Sequence, residues 1–121
     1  MKKNYWIYAV VLAVVAIPVY FFWPKDEVSG KHDDFAQCLT DRGVIMYGAY
    51  WCPHCQNEKK AFGDSFRFVN YVECTQETGK CLVEKINGYP TWIFKDGRRF
   101  EGEMGLKRLS EASGCLLEDK K

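Results

Sequence analysis

The sequence has almost no net charge and no concentration of charge of one sign. Its 17 Lys and Arg residues oppose 16 Asp and Glu residues, which gives a formal net charge of +1 at pH 7. Basic and acidic residues alternate along the body of the chain, so it lacks both a basic stripe for a nucleic-acid backbone and an acidic tail. Internal repeats and low-complexity tracts are missing as well. The 121 residues leave room for one compact domain, and we expect a monomer without a nucleic-acid partner.

A long stretch without formal charge stands near the N-terminus. It runs for 19 residues from Tyr5 to Trp23, behind Lys2 and Lys3. As a helix it would span about 28 Å, close to the roughly 30 Å hydrocarbon core of a bilayer, and aromatic residues cluster at both of its ends. A cleaved signal peptide is the alternative, but the bulky residues 20–24 make a poor cleavage site, so the sequence favours an uncleaved anchor. The two lysines predict a single-pass membrane protein with a cytoplasmic N-terminus and an extracytoplasmic remainder.

On this interpretation the chain has four segments: a cytoplasmic N-terminus (1–4), a transmembrane anchor (5–23), a tether (24–32) and a globular domain (33–121). Hydrophobic periodicity and turn residues predict eight elements in the globular domain, in the order helix, strand, helix, strand, helix, strand, strand, helix. Their expected positions are 33–43, 44–47, from 53 onward, 68–72, 80–86, 91–94, 98–101 and 106–112, with a hairpin turn at Asp96-Gly97. The helix from residue 53 is expected to bury Cys55, Phe62 and Phe66 on one side. This alternation is typical of an α/β domain with a mixed sheet and helices on both faces.

The run Trp51-Cys52-Pro53-His54-Cys55 carries two cysteines that can close and reopen a disulfide on each other. Proline suits the first position of a helix, which places Cys52 at a helix N-terminus. Unpaired N–H groups and the helix dipole stabilise a thiolate there, and the thiolate is the nucleophile of disulfide exchange. The imidazolium of His54 would stabilise the same charge. The run therefore indicates a dithiol–disulfide redox site, with zinc binding as the alternative.

Four further cysteines can form structural disulfides, because six cysteines in so short a chain are typical of an oxidising compartment. Cys38 lies on the inner side of the first predicted helix and Cys115 just beyond the last. We favour a pairing between them, which would close a loop of about 78 residues and contribute roughly 4–5 kcal/mol in the chain-entropy model. Cys74 and Cys81 would then close a short loop for roughly 2–3 kcal/mol. Alternatively, Cys74–Cys81 relays electrons to or from Cys52–Cys55, or Cys52 and Cys55 bind zinc together with Cys74 and Cys81.

The order of these motifs resembles the thioredoxin fold. A strand precedes Trp-Cys-x-x-Cys at the start of a helix, and Gly88-Tyr89-Pro90-Thr91 precedes a β-hairpin, over roughly residues 33–115. More narrowly, the runs at 35–39, 47–55, 70–74 and 88–92 resemble the thioredoxin-like domain found fused to, or working beside, vitamin K epoxide reductase-type membrane proteins. Cys-Pro-His-Cys is also the active-site sequence of the periplasmic oxidant DsbA.

The resemblance implies roles for individual residues. Cys52 would be the attacking cysteine and Cys55 the resolving one, so the redox-active disulfide itself is the only cofactor and no metal is needed. The residues expected to tune the potential or touch the substrate are Trp51, Pro53, His54, Tyr89 and Pro90, with Pro90 matching the family's cis-proline. One position departs from many thioredoxins, because Met46 stands where they carry a buried carboxylate six residues before the first cysteine. Either Glu58 or water would have to take over its part in proton transfer.

The residues between the two cysteines bear on the direction of electron flow. Thioredoxin and DsbA differ by about 150 mV in potential, or roughly 7 kcal/mol, and the Pro53-His54 pair favours the oxidising end. We therefore expect a membrane-anchored dithiol oxidase of extracytoplasmic protein cysteines, recycled by a vitamin K epoxide reductase-type partner. The alternative within enzymes is a reductase or isomerase for cytochrome c or copper-site maturation. A non-catalytic metal-binding or chaperone module is the alternative from another class.

Overall fold

The computed structural model describes residues 4–22 and 30–118. Helix α1 (Tyr5–Phe22) has no buried residue and contains Pro18. It is the one helix in these ranges that is long and apolar enough to cross a membrane, a test that an N-terminal signal sequence would also pass. Trp23 at the expected end of the span, the two N-terminal lysines and most of the tether lie outside the described residues.

Four strands in the described part of the chain form one mixed sheet in the order β2-β1-β3-β4. Strand β1 pairs in parallel with β2 and antiparallel with β3, which pairs antiparallel with β4. The strands are β1 (Ile45–Gly48), β2 (Asn70–Glu73), β3 (Thr91–Ile93) and β4 (Arg99–Glu101), and the helices of the domain are α2 (Asp33–Asp41), α3 (Pro53–Phe62), α4 (Thr78–Val83) and α5 (Gly105–Ser113). The predicted α/β class, with a mixed sheet and flanking helices, is confirmed.

Several element boundaries differ from those that the sequence predicts. A 3₁₀ helix (Gly63–Phe68) follows α3, so Phe66 belongs to it rather than to α3. The expected strand 68–72 begins later, at Asn70, because the Phe68 carbonyl accepts a hydrogen bond from Thr40 Oγ1 at 2.6 Å instead of joining the sheet. Helix α4 ends at Val83 rather than at residue 86, since Lys85 adopts a left-handed backbone conformation with φ of 53°.

The sheet separates two clusters of buried side chains. The larger cluster packs the sheet against α2, α3 and α5, and it includes Phe35, Leu39, Met46, Cys55, Phe62, Trp92 and Leu109. The smaller one consists of Tyr47, Val72, Cys74 and Cys81. Successive residues of a strand face opposite sides, so Met46 lies in the larger cluster and Tyr47 in the smaller. This arrangement puts the Cys-x-x-Cys helix on the side of the larger core.

Candidate active site

Cys52 lies at the end of the loop that connects β1 to α3. It is the N-cap residue of α3, and Pro53 is the first helical residue, so the missing proline N–H leaves no bond unmade. The sulfur of Cys52 accepts a hydrogen bond from the Cys55 backbone N–H at 3.3 Å. Both cysteines are free thiols, with Cys52 4 % exposed and Cys55 fully buried. The helix therefore directs an unpaired N–H at the sulfur of Cys52, as a thiolate requires.

Cys55 lies beneath Cys52 in the larger core. Burial raises the pKa of Cys55 to about 12, and the hydrogen bond with Cys52 acts in the same direction. The nearby Lys59 ammonium opposes this rise only in part. Cys55 is therefore a protonated thiol at neutral pH, and its sulfur must lose a proton before it can attack a disulfide.

The loop before β3 forms the opposite wall of the site. The Tyr89–Pro90 peptide bond is cis. The Tyr89 carbonyl oxygen lies 3.6 Å from Cys52 Sγ and accepts a hydrogen bond from its thiol. The Trp51 ring meets the Tyr89 ring edge to face, with centroids 5.9 Å apart, and Trp51 is 57 % exposed. The structure thus brings Trp51, Tyr89 and Pro90 together around Cys52, where a substrate segment would have to approach.

His54 is bound to a residue that the sequence does not single out. Its Nδ1 atom lies 2.6 Å from Glu103 Oε1, and the same oxygen accepts a hydrogen bond from Asn57 Nδ2 at 2.9 Å. These bonds lower the pKa of Glu103, with Asn57 the larger cause, so the carboxylate is ionised. Glu103 stands 49 residues after His54 in the loop that leads into α5, and no local motif connects them.

Glu58, one of the two expected proton acceptors, is 2 % exposed. Its Oε2 atom accepts a hydrogen bond from Trp92 Nε1 at 3.1 Å, and its Oε1 atom accepts one from the Gly105 backbone N–H at 2.7 Å. Burial raises the pKa of Glu58, while these donors lower it by less. Both carboxylate oxygens are thus occupied by groups of β3 and of the first turn of α5.

The other four cysteines form two disulfides. Cys38 bonds to Cys115 with an S–S distance of 2.05 Å, and Cys74 bonds to Cys81 at 2.04 Å. The first pair adjoins the larger core, whereas Cys74 and Cys81 lie in the smaller cluster and are 5 % and 6 % exposed. Within residues 4–22 and 30–118, no three His, Cys, Asp or Glu side chains are grouped closely enough to hold a metal ion.

Comparisons with known proteins agree with this geometry. The chain is 35 % identical over 107 residues to the thiol-disulfide oxidoreductase LTO1 of Arabidopsis thaliana, covering 78 % of this chain and 28 % of that protein. It is 30 % identical over 89 residues to a thioredoxin domain-containing protein 5 homolog of Drosophila melanogaster, covering 64 % of this chain and 21 % of the relative. The chain therefore spans less than a third of the length of either relative.

A solved structure establishes the fold. The crystal structure of chloroplastic thioredoxin z matches with a TM-score of 0.50 at 20 % identity, covering 59 % of this chain and 74 % of that one. The predicted thioredoxin-like fold is therefore confirmed for the globular domain. No protein-family model matches the sequence.

Proposed function

The described domain is a thioredoxin-like domain of the thiol-disulfide oxidoreductase type, and from this premise we propose that the whole chain is a membrane-anchored dithiol oxidase for extracytoplasmic protein cysteines. The observation that carries the proposal is the placement of Cys52. Its sulfur faces the free N–H of the α3 N-terminus on one side and the Tyr89 carbonyl on the other. The first contact favours a thiolate as attacker or leaving group, and the second lies beside the Trp51–Tyr89 rim that a substrate would meet.

The reaction proceeds in two exchanges. A substrate thiolate attacks Cys52 Sγ of the Cys52–Cys55 disulfide, whose S–S bond breaks, and the electron pair leaves on Cys55. A second thiolate of the substrate then attacks the substrate sulfur of this mixed disulfide and releases Cys52 as a thiolate. The substrate has lost two electrons and gained a disulfide, while the Cys52–Cys55 pair has gained them as a dithiol. The partner that reoxidises the pair takes up the same two electrons.

The oxidising direction rests on how the reduced form is stabilised. A dithiol whose thiolate is stabilised has a higher reduction potential, as the contrast between thioredoxin and DsbA illustrates. The N-terminus of α3 and an imidazolium at His54 both act in that direction. The carboxylate of Glu103 beside His54 partly offsets the imidazolium charge, and it is the observation that favours the second candidate, a reductase or isomerase using the same site.

Membrane attachment and recycling complete the proposal. Helix α1 is apolar and none of its residues is buried, as expected of a lipid-embedded anchor. The expected arrangement places the N-terminus in the cytoplasm and the thioredoxin-like domain on the extracytoplasmic side. A vitamin K epoxide reductase-type membrane protein would then accept the electrons from the Cys52–Cys55 dithiol at the membrane surface.

A trapping experiment tests this function. The full chain with Cys55→Ala is expressed in its own membranes, and disulfide-linked adducts are isolated without reductant and identified by mass spectrometry. We expect adducts of extracytoplasmic proteins and of a vitamin K epoxide reductase-type protein, because a mixed disulfide at Cys52 cannot then be resolved from within. The double variant Cys52→Ala, Cys55→Ala is the control and should yield none. If the single variant yields no more adducts than the control, the proposed function is wrong.

A further inference from the structure

The buried Cys55 thiol needs a nearby group with which it can exchange a proton. Cys55 must give up its proton to attack a mixed disulfide and must regain one whenever it leaves as a thiolate. Met46 cannot accept a proton, and both oxygens of Glu58 already accept hydrogen bonds, from Trp92 and from Gly105. The neighbouring strand β2 offers further candidates for the proton acceptor of Cys55.

The register of the parallel strand pair brings two other groups to this side of the sheet. Met46 pairs with Tyr71 and Gly48 pairs with Glu73, and residues two apart on a strand share a face. Tyr71 packs against the larger core that contains Cys55. The side chains of Tyr71 and Glu73 thus lie on the face of β2 that α3 covers.

Gly48 lets Cys55 and Tyr71 approach the same point. A β-carbon on Gly48 would lie 2.9 Å from Cys55 Sγ, 3.1 Å from Tyr71 Cε2 and 3.3 Å from Tyr71 Oη. Real β-carbons do not approach a sulfur this closely, so any larger residue would displace the thiol or the phenol ring. The thiol and the hydroxyl group therefore both border the space above the bare backbone of Gly48.

The Tyr71 hydroxyl group is hydrogen-bonded to the carboxylate of Glu73. The hydroxyl group donates this hydrogen bond to Glu73 Oε2 at 3.1 Å. The other oxygen of Glu73 accepts a hydrogen bond from the Tyr50 backbone N–H at 2.7 Å, and Tyr50 itself is 66 % exposed. The Lys59 ammonium lies 4.1 Å from the Tyr71 ring centroid and the Phe66 ring packs edge to face against it, so the phenol is held in place.

We propose that Tyr71 and Glu73 form the proton relay of Cys55, an inference that rests on the proposed disulfide exchange at Cys52. As Cys55 attacks, its thiol proton passes to Tyr71 Oη while the phenol proton passes to Glu73 Oε2. The Cys55 sulfur bonds to Cys52 Sγ, the bond between Cys52 and the substrate sulfur breaks, and the substrate leaves with the electron pair and takes a proton from solvent. In the oxidising direction the same protons move in reverse as Cys55 leaves.

The charged and titratable groups around Cys55 fit this relay. Cys52 and Lys59 face it from α3, and Tyr71, backed by Glu73, faces it from β2. Burial and the neighbouring Glu73 carboxylate raise the pKa of Tyr71, so the phenol stays neutral and passes a proton on without itself becoming a phenolate. Burial also raises the pKa of Cys55, which makes the acceptor necessary.

The lifetime of a mixed disulfide tests the relay. The reduced full-length protein in detergent micelles is mixed with glutathione disulfide, quenched with acid, and analysed by mass spectrometry for the Cys52–glutathione adduct. Tyr71→Phe removes only the hydroxyl group. We expect it to leave adduct formation unchanged but to lengthen the adduct lifetime about 100-fold near neutral pH, at the lower end of what a general base contributes. The effect should shrink as pH rises, because hydroxide removes the thiol proton directly.

Matched variants separate the relay from mere packing. Tyr47→Phe removes a hydroxyl group on the neighbouring strand, in the smaller cluster, and should leave the lifetime unchanged. Glu73→Gln should lengthen it as Tyr71→Phe does, whereas Glu77→Gln, which loses only an exposed pair with Lys80, should not.

Each remaining outcome decides the proposal. Equal lifetimes in Tyr71→Phe and Tyr47→Phe overturn the relay, and so does a Tyr71→Phe variant that slows formation and resolution equally. A native lifetime in Glu73→Gln overturns Glu73 as the acceptor. If the native protein forms no Cys52 adduct at all, the proposed function fails, and the relay fails with it.

Discussion

The Nδ1 atom of His54 lies 2.6 Å from the Oε1 atom of Glu103, which Asn57 also binds. This contact connects the residue between the two active-site cysteines to the loop before α5. An imidazolium favours the Cys52 thiolate, whereas a carboxylate beside it offsets part of that charge. The potential of the site therefore depends on a pair of residues and not on the Cys-Pro-His-Cys run alone.

Glu103→Gln should make the site more oxidising. Hydrogen bonds from Asn57 and His54 lower the pKa of Glu103, so its carboxylate is ionised near neutral pH. The substitution removes this negative charge from the side chain next to His54. We expect the Cys52–Cys55 potential to rise by about 10–20 mV, because the charge no longer disfavours the Cys52 thiolate. Equilibration with glutathione measures this shift. Glu101→Gln, on the exposed edge of β4, is the control, and a fall in potential in Glu103→Gln would contradict the assignment.

The double variant Cys38→Ala, Cys115→Ala should lose much of the stability of the domain. The bond spans 77 residues, and a loop of this length contributes roughly 4–5 kcal/mol by restricting the unfolded chain. Urea denaturation of the detergent-solubilised protein measures the free energy of unfolding. A loss no larger than that of Cys74→Ala, Cys81→Ala, whose loop spans 7 residues, would show that the long loop has no such role.

The double variant Cys74→Ala, Cys81→Ala should retain disulfide exchange at Cys52. Its two cysteines are buried in the smaller cluster, on the other side of the sheet from Cys55, so we expect a structural bond and not an electron relay. The measurement is the rate at which the oxidised protein oxidises a dithiol peptide, followed at a temperature where the variant is folded. A loss of turnover with recycling partner and peptide both present, but native single-turnover rates, would instead indicate the relay.

Glu58→Gln should destabilise the domain and should also weaken the pH dependence of its free energy of unfolding. Burial raises the pKa of Glu58 in the folded protein, so the folded state binds a proton more tightly than the unfolded state. The free energy of unfolding should therefore fall as pH rises from about 4.3, the ordinary value for Glu, through the raised pKa. Glutamine cannot ionise, so this fall should disappear. One of the two donors, Trp92 Nε1 or Gly105 N, also loses its acceptor, which costs about 1–3 kcal/mol at every pH.

Urea denaturation between about pH 4 and pH 8 measures both effects. Glu111→Gln, on the exposed face of α5, serves as the control and should follow the native profile. A Glu58→Gln variant that keeps the full pH dependence would assign the titration to another group.

The order of the elements could be predicted from the sequence because each carries a local signal. Pro53 after Cys52 predicts the start of α3, and Asp96-Gly97 between two apolar runs predicts the β3–β4 hairpin. The boundary before β2 could not be predicted, because it depends on a hydrogen bond from Thr40, 28 residues earlier, to the Phe68 carbonyl.

The candidate site, like the fold, could be predicted from the sequence only in part. Cys52 and Cys55 stand in one motif whose chemistry is local. Tyr71, Glu73 and Glu103 reach the site only through the strand register and the loop before α5, so no spacing in the sequence points to them. The alternation Tyr71-Val72-Glu73 does place its two polar residues on one face of a strand, but the sequence does not say that Cys55 lies over that face.

The reduction potential of the Cys52–Cys55 couple tests the central claim most directly. The full-length protein is equilibrated in glutathione buffers of graded potential, its free thiols are alkylated, and the reduced fraction is measured by mass spectrometry, with Cys52→Ala as the blank. A dithiol oxidase should have a potential above about −200 mV, on the side of DsbA at about −120 mV. A potential near the roughly −270 mV of thioredoxin would contradict the oxidase and favour the reductase.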